Sequence, residues 1–256
     1  MAYVERRLMA ARSVTLWIAL IIPMLSMMST QTYGAASYPP ADHPWGVAEY
    51  QRLLLLIGTR QQPFPTLADK ASKAVFKRMI SAQNVAQAKS RDESLPAGER
   101  MMALATATVA VKRVAVLYLK EINEGKPYER ELAKLLVYLL DISGPTIKLA
   151  DEFIASIPRD DQYEIRLGGL RQAHNGLRQM FSGVIISISE THLYSKPSTL
   201  ELIQASLNNL PTYQPILTKA DCQKAIRIVE RQLKATNDKE LQAGLTRLQD
   251  ALHSIK

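Results

Sequence analysis

Large apolar side chains recur at steps of three and four along most of the chain, and no segment alternates apolar and polar residues by twos, so the chain can bury itself only as packed helices. Proline and glycine punctuate that pattern. A short helix is expected over GVAEYQRLLLLIGT, which begins at Gly46, after Asp42-His43-Pro44, and a long one from a Thr66 cap to about Ser90, followed by the polar loop RDESLPAGE. A strongly apolar helix should run from Pro96 to Ile122, and another from Tyr128 to Ile142. Gly144-Pro145 reads as a break before Thr146 to Ile157, and a long helix follows between Asp160 and His192. Thr199 to Asn209, an irregular link at Pro211 and Pro215, and a hairpin of Thr218–Ala235 with Asp238–Ser254 complete an all-α, irregular bundle of about eight or nine helices.

Residues 167–188, LGGLRQAHNGLRQMFSGVIISI, carry four glycines inside that long helix. Each costs about 1 kcal/mol relative to alanine in a helix interior, so a packing reason is needed if the helix is not to break. Leu167, Leu170, His174, Leu177, Phe181, Val184 and Ile188 form one stripe. Gly169, Ala173, Gly176, Met180, Gly183 and Ser187 form another, roughly 100° round the helix. Every member of the second stripe except Met180 is small, which reads as clearance for a neighbouring backbone. The stripe Ala103, Ala107, Ala110, Val114 and Leu117 is the natural partner, since alanine facing glycine lets two axes approach to the near end of the usual range of about 8–10 Å.

The first 36 residues stand apart. Arg6, Arg7 and Arg12 precede the apolar run Val14–Met28, and Gly34-Ala35-Ala36 puts small residues where a signal peptidase cuts, so a secretory leader is expected, cleaved after Ala36. The alternative is an uncleaved membrane anchor at 14–28, but that run contains Pro23 and falls short of the roughly 20 apolar residues a bilayer core demands. Residues 37–256 would then form a single all-helical domain, periplasmic or secreted, with no transmembrane segment of its own. Lys112-Arg113 interrupts the most apolar stretch of that domain. Cys222 is the only cysteine, so no disulfide can form within the chain, and a buried, unreactive thiol is expected. Pairing between chains stays open.

Catalytic and metal signatures do not emerge from the residue pattern. His43, His174, His192 and His253 are scattered, with no paired histidines at helical spacing and no CxxC. His174 and His192 lie about 27 Å apart along one helix, so they cannot share a site, and His174 is expected to be a hydrogen-bonded core or rim residue. Asp160, Asp161 and Glu164 crowd a helix start, where acidic side chains favour the dipole. No nucleophile elbow, P-loop or dinucleotide fingerprint occurs, and no cofactor is implied.

Charge says somewhat more. Three arginines and one glutamate belong to the leader, so the net +8 of the chain becomes +6 on the remainder. Lys70, Lys73 and Lys77 would share an arc of about 60° opposite Leu67, Ala71, Ala74 and Ala82. This stripe is a candidate surface for an anionic partner. Nucleic acid is not expected, because no aromatic residues interleave with it. Salt-sensitive binding to anionic vesicles, lost on replacing the three lysines by alanine, is its signature. The expected function is therefore that of an exported, non-enzymatic helical protein acting through contacts with a protein or an anionic envelope surface, as an adaptor, chaperone-like binder or inhibitor. An enzyme of the hydrolase class, with a site assembled only in three dimensions, is the alternative.

Overall fold

The computed structural model describes residues 37–90 and 95–255. The leader expected at 1–36, its cut after Ala36 and the anchor alternative at 14–28 lie outside the described residues, as do residues 91–94. The rest is an all-helical bundle, and no strand occurs among the described residues. Its helices are α1 (Val47–Gly58), α2 (Lys73–Met79), α3 (Ala82–Ser90), α4 (Ala97–Asn123), α5 (Glu129–Ser156), α6 (Tyr163–Ile188), α7 (Lys196–Tyr213), α8 (Lys219–Ala235) and α9 (Lys239–His253), with a 3-10 turn at Gln214–Ile216.

Three long helices organise the molecule. α5 packs against α4 on one side and α7 on the other, α6 leans on α7, α5 and α8, and the α8–α9 hairpin closes over α7. α1 covers part of α4, and α3 touches both α4 and α5. One apolar cluster runs through all of this, from Trp45 to Leu252. The α4–α5 turn forms because Gly125 takes a φ of 89°, open to glycine at little cost. There the amide of Lys126 donates to the Glu121 carbonyl at 3.0 Å and that of Gly125 to Ile122 at 2.9 Å, which satisfies the end of α4. Thr218 and Asp221 cap each other reciprocally at the start of α8, and the Asp238 carboxylate accepts from the amides of Glu240 and Leu241 to start α9. The two helices of the C-terminal hairpin therefore begin within one residue of the expected Thr218 and Asp238, which serve as their caps.

Several expected boundaries are corrected. Thr66 to Ser90 is not one helix: residues 66–72 are non-helical, with a turn at 70–72, and α2 and α3 are separated at Ile80-Ser81. Thr66 caps only a turn, accepting from the Asp69 amide at 3.0 Å, while Asp69 accepts from the amides of Ala71 and Ser72. Buried Asn84 holds the break open. Its Nδ2 donates to the carbonyls of Arg78 and Met79 at 2.7 and 3.2 Å, and its Oδ1 accepts from the Trp45 amide at 2.8 Å. Helix-end carbonyls that a continuing helix would have used are thus satisfied by a side chain. The buried face of α2 is Val75, Phe76 and Met79, whereas Ala71 and Ala74, expected inside, are exposed.

Gly144-Pro145 does not break α5 either. Pro145 lacks the N–H that would bond the Asp141 carbonyl, and Asp141 is an exposed residue of α5. Ile142, Ser143, Gly144, Thr146 and Ile147 around it are all buried, and that burial outweighs one missing bond. Gly144 serves as a close-approach point, since a Cβ built there would lie 3.1 Å from Cγ2 of Thr212. Likewise Pro211 lies inside α7, where an irregular link was expected.

Candidate functional site

The glycine-bearing α6 is continuous through Gly168-Gly169, but its small stripe is not the close helix contact expected of it. Ala107 and Ala110 are buried where α4 packs on α5 and α1, while α6 packs on α7, α5 and α8. A Cβ built on Gly169 or Gly183 would meet nothing within 4 Å. The physical reason is competition: the 28 residues of α5 take the most apolar face of α4 and leave the α6 notches without a backbone to receive.

What they border is a groove of about 950 Å³. Its α6 wall is Gly169, Gln172, Ala173, Gly176, Leu177 and Met180. Its α4 wall includes Ala105, Thr108, Val109, Lys112 and Val116, a second stripe of α4 of which only Thr108 is fully buried, with Thr146 of α5 and Leu54 and Gly58 of α1 completing it. That volume lies at the upper end of the range of about 300–1,000 Å³ found for small-molecule sites. A smaller cavity of about 70 Å³ shares Lys112, Leu119 and Met180 with it and continues between Leu132, Leu136 and Leu139 of α5 and Gly183 and Val184 of α6. The apolarity of α4 follows from serving two such faces. One of its 18-residue windows has a mean hydropathy of 1.6, enough by length and composition to cross a membrane, yet only half of that window is buried.

Charged groups in the groove are few and of one sign, beside the neutral polar side chains of Thr108, Asn123, Thr146 and Gln172. No aspartate or glutamate lines either cavity, whereas Lys112, Arg113 and Lys120 do. Lys112 is half-buried, and burial lowers the pKa of its ammonium because the charged form loses hydration. Among the described residues it has neither an ion pair nor a hydrogen bond. Thr108, one turn before it on the same face of α4, and Thr146 of α5 are buried, and neither hydroxyl oxygen has a partner among the described residues. Leaving such a group unsatisfied costs about 1–3 kcal/mol, and native proteins seldom tolerate it without a reason.

The ionisable residues that sequence weighed as candidate sites lie elsewhere. Lys70 is in a turn and Lys73 and Lys77 are on the seven-residue α2, so only two of the three share a helix; all are exposed, and none lines the groove. Cys222 is buried, with its thiol pKa raised by burial and then by Asp221. His43 is exposed beside Asp42 at 3.0 Å, and the hydrogen bond to that carboxylate raises its pKa. His174 is half-buried, but its Nε2 has no partner, contrary to the hydrogen-bonded residue expected. Asp160 accepts from the Gln162 amide and pairs with Arg166, the work of a helix start. Among the described residues no three metal-ligating side chains converge.

Sequence reasoning missed Thr108, Lys112 and Thr146. The available signal was Lys112 itself, a charge set between the apolar turns of α4, which bears on membrane insertion as readily as on ligand binding. No family model matches the chain, and no curated protein or solved structure is significantly similar to it, so its own groove is the guide to function.

Proposed function

We propose that the protein is an exported, non-enzymatic binding protein that shelters the aliphatic chain of an envelope amphiphile in the groove between α4 and α6. The observation that carries this reading is the notched wall of α6, where Gly169 and Gly183 would give added side chains open space and where Gly169, Ala173 and Gly176 border about 950 Å³. Helix-interior glycines are unfavourable, so a seam of them that receives no helix is best accounted for by something that lies along it.

An aliphatic chain fits this lining better than a peptide or a flat ring. A peptide brings amides that must be hydrogen-bonded once buried, and the walls supply few polar atoms to meet them. No aromatic side chain lines the larger cavity, so no stacking surface is offered to a ring. The exposed Lys70, Lys73 and Lys77 supply the approach to an anionic envelope surface. Binding of a naphthylamine probe that brightens in apolar surroundings, displaced by hexadecanol, is the expected result. Gly176→Leu should fill the groove and abolish probe binding while leaving the helical circular dichroism intact. Failure of the native protein to bind either probe or hexadecanol defeats the proposal.

A further inference from the structure

The groove is apolar, yet the charge it carries is of a single sign. Lys112 lines both the main cavity and its narrow continuation, and so marks the point where the two meet. Lysine seldom gives up hydration without a compensating carboxylate or phosphate. Here every described lining residue that carries charge is cationic, with Arg113 and Lys120 exposed at the rim. Thr108 and Thr146 line the same cavity, and their buried hydroxyl oxygens have no partner among the described residues. Arg60, the neighbouring cation at the end of α1, is by contrast within 4 Å of both Glu121 and Glu124, so the local surface does have acids to spend, and none reaches Lys112.

Resting on the proposed function, we infer that the occupant is a single-chain anionic amphiphile whose headgroup pairs with the Lys112 ammonium and takes hydrogen bonds from the Thr108 and Thr146 hydroxyls. Its aliphatic chain then lies along Gly169, Ala173 and Gly176. Both hydroxyl oxygens are buried as they stand, so each threonine turns about χ1 to meet the headgroup, using the second rotamer open to threonine in a helix. A cationic amphiphile is excluded by three like charges, and a neutral one leaves Lys112 desolvated without return. Burial lowers the lysine pKa, and an anion held beside the ammonium opposes that shift by favouring the charged form.

The test compares dissociation constants of three chains of equal length, palmitate, hexadecanol and hexadecyltrimethylammonium, for the purified full-length protein near neutral pH. Palmitate should bind at least tenfold more tightly than hexadecanol, with the ammonium compound weakest. Lys112→Gln should remove the preference while hexadecanol affinity stays the same, and Lys112→Arg should keep it. Lys112→Met serves as a second neutral variant should the glutamine variant fold poorly. Hexadecyl phosphate in the same series separates a carboxylate source from a phosphate one. Equal affinity for palmitate and hexadecanol in the native protein, or a preference that survives in both neutral variants, overturns the anionic headgroup and leaves the groove reading standing. Loss of all binding defeats the groove reading itself. Binding that appears only after residues 1–36 are removed leaves the groove reading standing for the exported chain, and the same palmitate preference is then required of residues 37–256.

Discussion

His174 shows how one side chain ties stability to pH. Burial lowers the pKa of its imidazole, Asp151 opposes that shift, and Arg178 reinforces it. The folded chain therefore prefers the neutral ring, and the unfolded chain binds the proton more readily. By linkage, stability is full above the ordinary value of 6.5 and falls as the pH drops through it, levelling once the folded-state ring is also protonated. His43 acts in the opposite sense, since its pKa is raised and its proton favours the fold. The useful comparison is thus between the protein and His174→Gln, with urea midpoints followed from pH 8 to pH 5. The variant should lose less stability on acidification, and parallel curves would show that His174 does not contribute. Nothing in residues 167–188 announces this behaviour. The three-four stripe puts His174 on the apolar side, but whether its Nε2 finds a partner depends on helices distant in sequence.

At the scale of the element, the glycines divide into two groups that sequence spacing alone treats alike. Gly144 faces Thr212 across the α5–α7 contact, whereas Gly169 and Gly183 face space. Gly169→Ala and Gly183→Ala should each raise stability by about 0.4–1 kcal/mol through the helix propensity gained. Gly144→Ala should gain less or lose, because a Cβ there crowds the threonine methyl. Thermal melts of the three variants check the order, and an equal gain at Gly144 would contradict the close packing. The three-four period was enough to find α1, α4, α6, α8 and α9, whose capping and punctuating residues lie within a few positions of their ends. It failed where the deciding partner is remote. Asn84 separates α2 from α3 through Trp45, 39 residues away, and Pro145 is carried inside α5 by packing on two neighbours. For the groove, the sequence disclosed which wall was small but not whether another helix would fill it, since that depends on which of two apolar faces of α4 takes up α5.

For the whole molecule, the groove leaves part of the apolar surface of α4 uncovered by other helices, and half of its most apolar window is not buried. That surface has to be tolerated at each stage of the protein's existence. If the chain is exported, α4 threads through a translocation channel before any neighbour can cover it, and there it resembles a stop-transfer segment. Lys112 and Arg113 sit in the middle of that segment, where each basic residue opposes lateral entry into the bilayer by about 2.5–3.5 kcal/mol. Replacing both by leucine should leave a detectable fraction of the chain lodged in the membrane and resistant to carbonate extraction, and complete release of the double variant would rule this out. The lysine assigned to hold a ligand's charged end would then also be what keeps the newly made chain from stalling on its way out.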